Sequence, residues 1–211
     1  MIRRKNKRGY FITFEGIDGC GKSTQLKLAA EYLKDEHHDV VAFREPGSTR
    51  LAEKIRKLLL DRRSELTDVS ELLLYETARN DLVTREIDPA LDSGKIVLCD
   101  RFYDSTTAYQ GYGRKQDLRM VKKLHQVAVG DCHPDLTILF DIDLRTARAR
   151  LSGTPDRLES QPQVFYQRVR KGFVEIARKE PTRVKVVNGR NQPAEVFEEV
   201  QTILDRRLKR K

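Results

Sequence analysis

Gly16-Ile17-Asp18-Gly19-Cys20-Gly21-Lys22-Ser23 has the spacing G-x-x-x-x-G-K-[ST]. Glycines at these positions let backbone N–H groups turn inward onto phosphate oxygens, and a helix starting at Lys22 adds its positive end. Lys22 can reach the β- and γ-phosphates of a nucleoside triphosphate, and Ser23 can ligate Mg²⁺. The donor-binding set is therefore Gly16, Ile17, Asp18, Gly19, Cys20, Gly21, Lys22, Ser23 and Thr24. Asp18 is unexpected inside such a loop, because a carboxylate repels phosphate unless it points elsewhere, for instance at a sugar hydroxyl. Cys20 reads as a small loop filler, with a thiol acidified by the helix N-terminus as the alternative. The loop holds no arginine, so a transition-state cation beyond Lys22 must come from another segment.

The second candidate group is Asp100-Arg101, at the end of the apolar run Ile96-Val97-Leu98-Cys99. A strand-end Asp beside a phosphate loop suits a Mg²⁺ site, directly or through water, so Ser23 and Asp100 are the metal candidates. Arg101 is placed to grip a phosphate oxygen with its guanidinium fork, a structural salt bridge being the alternative.

These residues need a scaffold that brings strand ends together. Short apolar runs at Tyr10–Phe14, Val40–Phe43, Ile96–Cys99, Leu136–Ile142 and Val184–Val187 alternate with helical periodicity over Lys22–Glu36, Leu51–Leu60, Val69–Ile87, Leu118–Val129, Leu144–Leu151, Gln163–Lys179 and Ala194–Leu208. The long third helix is expected to stop near Pro89. Alternation of this kind predicts an α/β domain with five parallel strands covered on both faces, its site at the strands' carboxyl ends. The 211 residues suffice for one such domain, with no linker or repeat.

The net charge of +9 first suggests nucleic acid. Five basic residues lie in Met1–Arg8 and five in Arg206–Lys211; subtracting these ten leaves −1 for residues 9–205. The charge is thus in two tails, 1–8 and 206–211, read as solvated, and no specific nucleic-acid partner is expected. A DNA-dependent ATPase using those tails is the rival reading. Cys20, Cys99 and Cys132 form no CxxC pair, which points to a reducing, cytoplasmic setting. There is no apolar run of transmembrane length and no signal-peptide h-region.

The phosphate loop, Arg44-Glu45-Pro46-Gly47, Leu51-Ala52-Glu53-Lys54-Ile55-Arg56, Asp100-Arg101-Phe102, Ala108-Tyr109-Gln110-Gly111 and Asp156-Arg157-Leu158-Glu159 occur in the order seen in bacterial-type thymidylate kinases, which the chain resembles from about residue 10 to 205. The resemblance implies a P-loop nucleoside monophosphate kinase fold with a mobile lid over about 148–160. It also implies Mg²⁺-assisted transfer of phosphate from ATP to dTMP, giving dTDP for dTTP synthesis, in a homodimer. It places Asp18 near the dTMP sugar and phosphate, and Arg44 and Arg101 on the acceptor phosphate. Tyr75 and Arg79 fall on the thymine, with Thr106 and Gln110 as further base contacts. Arg148, Arg150 and Arg157 fall in or beside the lid, with Arg150 favoured as the transition-state cation although Ser152 stands where many relatives carry arginine. Lys22, Arg101, Arg150 and Asp18 form the catalytic set. Tyr75 and Arg79 are four residues apart, so one helix face carries both a stacking ring and a carbonyl donor that would favour thymine over cytosine. A kinase acting on nucleosides, not monophosphates, is the nearer rival.

Overall fold

The computed structural model describes residues 8–208. Most of the N-terminal basic tail and residues 209–211 of the C-terminal one lie outside that range. Arg206 and Arg207 lie inside it, in the last turn of the final helix.

The five apolar runs form one parallel sheet. β1 (Tyr10–Glu15), β2 (Val40–Arg44), β3 (Ile96–Asp100), β4 (Leu136–Asp141) and β5 (Val184–Asn188) lie in the order β2-β3-β1-β4-β5. Alternation along the central strands sorts side chains between two layers. Ile12, Phe14 and Leu98 pack toward α1 (Lys22–Asp35), α8 (Gln163–Lys179) and α9 (Pro193–Leu208). Phe11, Val97 and Cys99 face the opposite layer with Phe102, Leu82 and Ala128. That second layer holds α3 (Asp68–Leu82), α4 (Asp88–Asp92) and α6 (Leu118–Val129); α2 (Arg50–Leu60) packs on α3. Both faces are covered, which is why the central strands are predominantly apolar.

Two departures from the sequence reading lie near the site. The third helix was expected to stop near Pro89, but the chain widens into a π-helical turn at Val83–Ile87 and continues as α4 to Asp92. The π turn restarts the hydrogen-bond pattern, so Pro89 falls in the first turn of a new helix, where its missing N–H is tolerated. Second, residues 103–113 form a short helix, α5 (Tyr103–Thr106), and a π-helical segment, Thr107–Gly113. Glycines at 111 and 113 mask helical periodicity there. A Cβ on Gly113 would lie 2.6 Å from the Phe165 ring, so glycine lets this segment lie close against α8. α7 (Leu144–Ala149) ends two residues early, and residues 150–162 form neither helix nor strand.

The register sets the site. Phe14 pairs with Asp100 across β1 and β3, and Arg44 pairs with Asp100 across β2 and β3. The phosphate loop, Asp100-Arg101 and Arg44-Glu45-Pro46 therefore leave the sheet side by side, at one edge.

Phe11 is fully buried and meets the Phe102 ring edge-on, with centroids 4.9 Å apart. Phe11→Ala should destabilise the protein by about 3–5 kcal/mol. Urea unfolding should show this as a lower midpoint with an unchanged slope.

Candidate active site

The loop between β1 and α1 divides two cavities. Lys22, Ser23 and Thr24 line one of them with Gly19, Cys20, Gly21, Arg150 and the segment from Gly189 to Pro193. Asp18 lines the other, which has a water-accessible volume of about 80 Å³ and lies between the strand ends, α2, α3 and the 103–110 segment. Gly19 has φ +79°, and a Cβ there would lie 2.2 Å from the Ala147 carbonyl, so the loop requires glycine at this point. Lys22 is buried, its Nζ 3.7 Å from Asp18 Oδ1 on the boundary between the cavities.

Asp18 points away from the first cavity. Its carboxylate accepts from Arg101 Nη2 at 2.6 Å and from the Tyr109 hydroxyl at 2.9 Å. Burial works to raise its pKa, but Arg101, Lys22 and the Tyr109 hydroxyl outweigh it and hold the group well below the usual carboxylate range. Arg101 sits at φ +70°, and its Nη1 donates to the Gly16 carbonyl at 3.0 Å and to Ser105 Oγ at 2.9 Å. Behind it, Glu15 is fully buried and accepts from the Phe102 N–H at 2.7 Å and the Ser105 hydroxyl at 2.6 Å. Burial, with Asp104 nearby, pushes the Glu15 carboxyl up to about 8. Ser23 Oγ donates to Asp100 Oδ2 at 2.5 Å, so the two metal candidates already touch. Cys20 is buried and burial raises its thiol pKa, which removes the acidified-thiol alternative.

The second cavity carries the acceptor candidates. Tyr75, Arg79, Arg101, Thr106 and Gln110 all line it. Arg79 does not reach in from solvent: its side chain is 1% exposed. Nε donates to Glu45 Oε2 at 2.9 Å, Nη2 donates to Thr106 Oγ1 at 2.8 Å, and the guanidinium lies 5.4 Å from the Phe102 centroid. Nη1 is ion-paired with Glu76 Oε1 at 2.9 Å, while Glu45 Oε1 and Glu76 Oε2 are buried without a hydrogen-bond partner. Burial pushes Glu45 up to about 7 against the pull of Arg79. Gln110 is held by Glu71, to which its Nε2 donates at 2.8 Å.

Other expected residues sit differently. The Arg44 guanidinium pairs with Glu53 at 2.8 Å, half-exposed and off the cavity wall, whereas Arg56 lines the cavity and donates to the Pro46 carbonyl at 3.0 Å. Arg148 is exposed. Arg150 donates to the carbonyls of Gly189 and Arg190, at 2.7 and 3.1 Å, on the far wall of the first cavity. Arg157 is tied down by Glu71 at 2.6 Å and the Leu59 carbonyl at 2.8 Å. Glu45, Arg56, Phe102 and Tyr109 were absent from the candidate set. Each lay within a quoted motif, which was the available signal.

A family model described as thymidylate kinase matches residues 14–200. The chain belongs to the thymidylate kinase family. A curated thymidylate kinase from Gloeobacter violaceus is 45% identical over 199 residues, covering 92% of this chain and 94% of its own. One from Geobacter sulfurreducens is 44% identical, covering 96% of this chain and all of its own. The solved thymidylate kinase from Ehrlichia chaffeensis superposes with a TM-score of 0.77 at 40% identity, over 93% of this chain and 99% of that one. The five-stranded parallel sheet is thus the P-loop kinase fold of this family.

Glu15 gives a pH signature. Its folded pKa is raised, so it binds a proton that the unfolded chain releases, and its contribution to stability falls as pH rises from about 4.5 to 8. Glu15→Gln should lose less stability than the parent over that window. Denaturation at pH 5, 7 and 9 checks this; parallel pH slopes would contradict it.

Proposed function

We propose that this protein transfers the γ-phosphoryl group of ATP to dTMP, giving dTDP on the route to dTTP, with Mg²⁺. The observation that carries the acceptor is that the lining of the second cavity sets a guanidinium donor, Arg79, against a carboxylate acceptor, Glu45, beside the Tyr75 ring. Thymine presents an N3–H donor beside an O4 acceptor. Cytosine presents the reverse, and leaving both protein groups unpaired is heavily disfavoured. Tyr75 supplies the ring that stacks on the base, and Thr106 and Gln110 complete its surroundings. Arg101 holds the acceptor phosphate, joined by Arg44 when it leaves Glu53, and Asp18 meets the sugar and phosphate edge.

Residues from Gly16 to Thr24 cradle the ATP phosphates. Lys22, at the boundary, offsets charge on the phosphoryl group during transfer. The Ser23 hydroxyl and Asp100 carboxylate are adjacent hard oxygen ligands, which fits a Mg²⁺ that keeps substrate oxygens and water as its other ligands. A Mg²⁺ held by Ser23 and Asp100 would supply charge neutralisation to the phosphates during transfer. Residues of the 148–160 lid exclude water when they close. Arg148, which is exposed, can approach from it, Arg150 does so on leaving the Gly189 and Arg190 carbonyls, and Arg157 is anchored through Glu71. We place the enzyme in the cytoplasm as a homodimer. No helix among the described residues is long and apolar enough to cross a membrane. Supporting a dimer, α2, α3 and α6 pack together and expose Leu58, Val69, Leu73 and Val127.

Lys22→Met should lower dTMP-dependent ADP release by about 100-fold or more, with a much smaller loss of dTMP affinity. Arg79→Ala should do the opposite, weakening dTMP binding first. Steady-state kinetics and calorimetry with dTMP separate the two. Unchanged turnover in Lys22→Met, or unchanged dTMP affinity in Arg79→Ala, contradicts the assignment.

A further inference from the structure

The irregular segment 150–162 has two unlike halves. Residues 151–155 are all exposed. Residues 156–160 instead form a turn closed by its own side chains. Asp156 Oδ1 accepts from the N–H groups of Leu158 and Glu159, both at 2.8 Å, and Glu159 Oε2 accepts from the Asp156 N–H at 3.0 Å. The Tyr166 hydroxyl, on α8, donates to the Leu158 carbonyl at 3.1 Å. Asp156 and Leu158 both line the second cavity. Arg157, between them, lines neither cavity, and its side chain is only 11% exposed.

Arg157 points the other way, into a socket on α2 and α3. Its Nη1 lies 2.6 Å from Glu71 Oε2, its Nε donates to the Leu59 carbonyl at 2.8 Å, and its backbone N–H donates to the Leu60 carbonyl at 3.2 Å. Leu59 and Leu60 end α2, where carbonyls lack partners within the helix and carry the negative end of its dipole. A guanidinium answers both needs, because it donates and is positive. Glu71 supplies the countercharge. Burial works to raise its pKa, but Arg114, Gln110 and Arg157 outweigh it and hold the group below its ordinary value, so it is ionised. Glu71 also accepts from Gln110 Nε2 at 2.8 Å and from Arg114 Nη2 at 3.0 Å, so it keeps partners when Arg157 is removed.

We propose that Arg157 is a positioning residue for the acceptor: by filling the socket between Glu71 and the end of α2, it holds Asp156 and Leu158 in the wall of the second cavity. The moving part of the lid is then residues 148–155, and the arginine that meets the transferring phosphate comes from there. The inference rests on the dTMP kinase reading and deepens it. It assigns to acceptor binding an arginine that the motifs alone place among the lid cations.

The test is steady-state kinetics with Mg·ATP and dTMP on the parent, Arg157→Met and Arg157→Lys, beside limited trypsin digestion of the parent without nucleotides. Arg157→Met should raise the KM for dTMP about tenfold, while kcat and the KM for ATP stay within about threefold. Arg157→Lys keeps a cation for Glu71 but loses the planar fork, so its KM for dTMP should lie between the two. A kcat loss of about 100-fold or more at a parental KM would make Arg157 a cation of the transfer and overturn the proposal. A parental KM for dTMP in Arg157→Met, or a parallel loss in kcat and both affinities, also overturns it. If Arg157→Met fails to fold by circular dichroism, Arg157→Lys decides. A KM for dTMP raised about threefold or more then supports the proposal, and a parental one overturns it. Trypsin should cut after Arg150 before it cuts after Arg157, and the reverse order overturns the socket. Digestion needs no turnover, so a parent inactive toward dTMP but protected at Arg157 sinks the kinase reading and spares the socket.

Discussion

The ion pair between Arg101 and Asp18 ties the end of β3 to the loop that follows β1. These strands are neighbours in the sheet, so their carboxyl ends lie side by side although the residues are 83 apart in sequence. Arg101 takes a left-handed backbone conformation there, a costly choice for a residue with a side chain. Surrounding contacts determine it: the backbone N–H bonds to Phe14, and the guanidinium binds the Gly16 carbonyl, Ser105 and Asp18. The pair turns the one acidic group of the phosphate loop away from the first cavity and makes it a wall of the second. Lys22, which lines the first cavity, reaches toward Asp18 in the wall of the second.

A second constraint is the burial of Arg79 between Glu45 and Glu76. Placing a guanidinium and two carboxylates out of water is expensive, and removing one partner from such a cluster costs about 3–5 kcal/mol. What the arrangement secures is direction. A guanidinium held by Glu45, Thr106 and Glu76 cannot turn, and Arg79 and Glu45 are fixed together in the lining of the second cavity. The same logic governs Glu71, fully buried and surrounded by Gln110, Arg114 and Arg157. Glu71 connects α3 to Arg157 in the irregular segment 150–162, so the wall of the second cavity and that segment share one buried anion.

The sheet and the phosphate loop were legible because their signals are local. Apolar runs such as Leu136–Ile142 report a strand covered on both faces, and the loop's glycines report positive φ angles. The acceptor site was legible only through motifs. Periodicity correctly places Tyr75 and Arg79 on one face but says nothing of the burial of Arg79, which depends on Glu45, 34 residues away, and on Thr106. His125 reads as an ordinary residue of an amphipathic helix; its partner Glu76 is 49 positions distant. The 103–113 segment escaped periodicity because a π-helical turn shifts the repeat and glycines interrupt it. Arg150 was expected over the phosphates, and its contacts with Gly189 and Arg190 depend on a loop after β5 that no motif marked.

The central claim is that one cavity selects a thymine monophosphate and presents it to the triphosphate bound on the loop. ADP release with Mg·ATP, measured with dTMP, dCMP and thymidine in competition, tests it most directly. The account predicts that dTMP is the preferred acceptor, that dCMP is turned over far more slowly because its base edge mismatches Glu45 and Arg79, and that thymidine fails for want of a phosphate for Arg101. Preference for thymidine, or equal use of dTMP and dCMP, would contradict it.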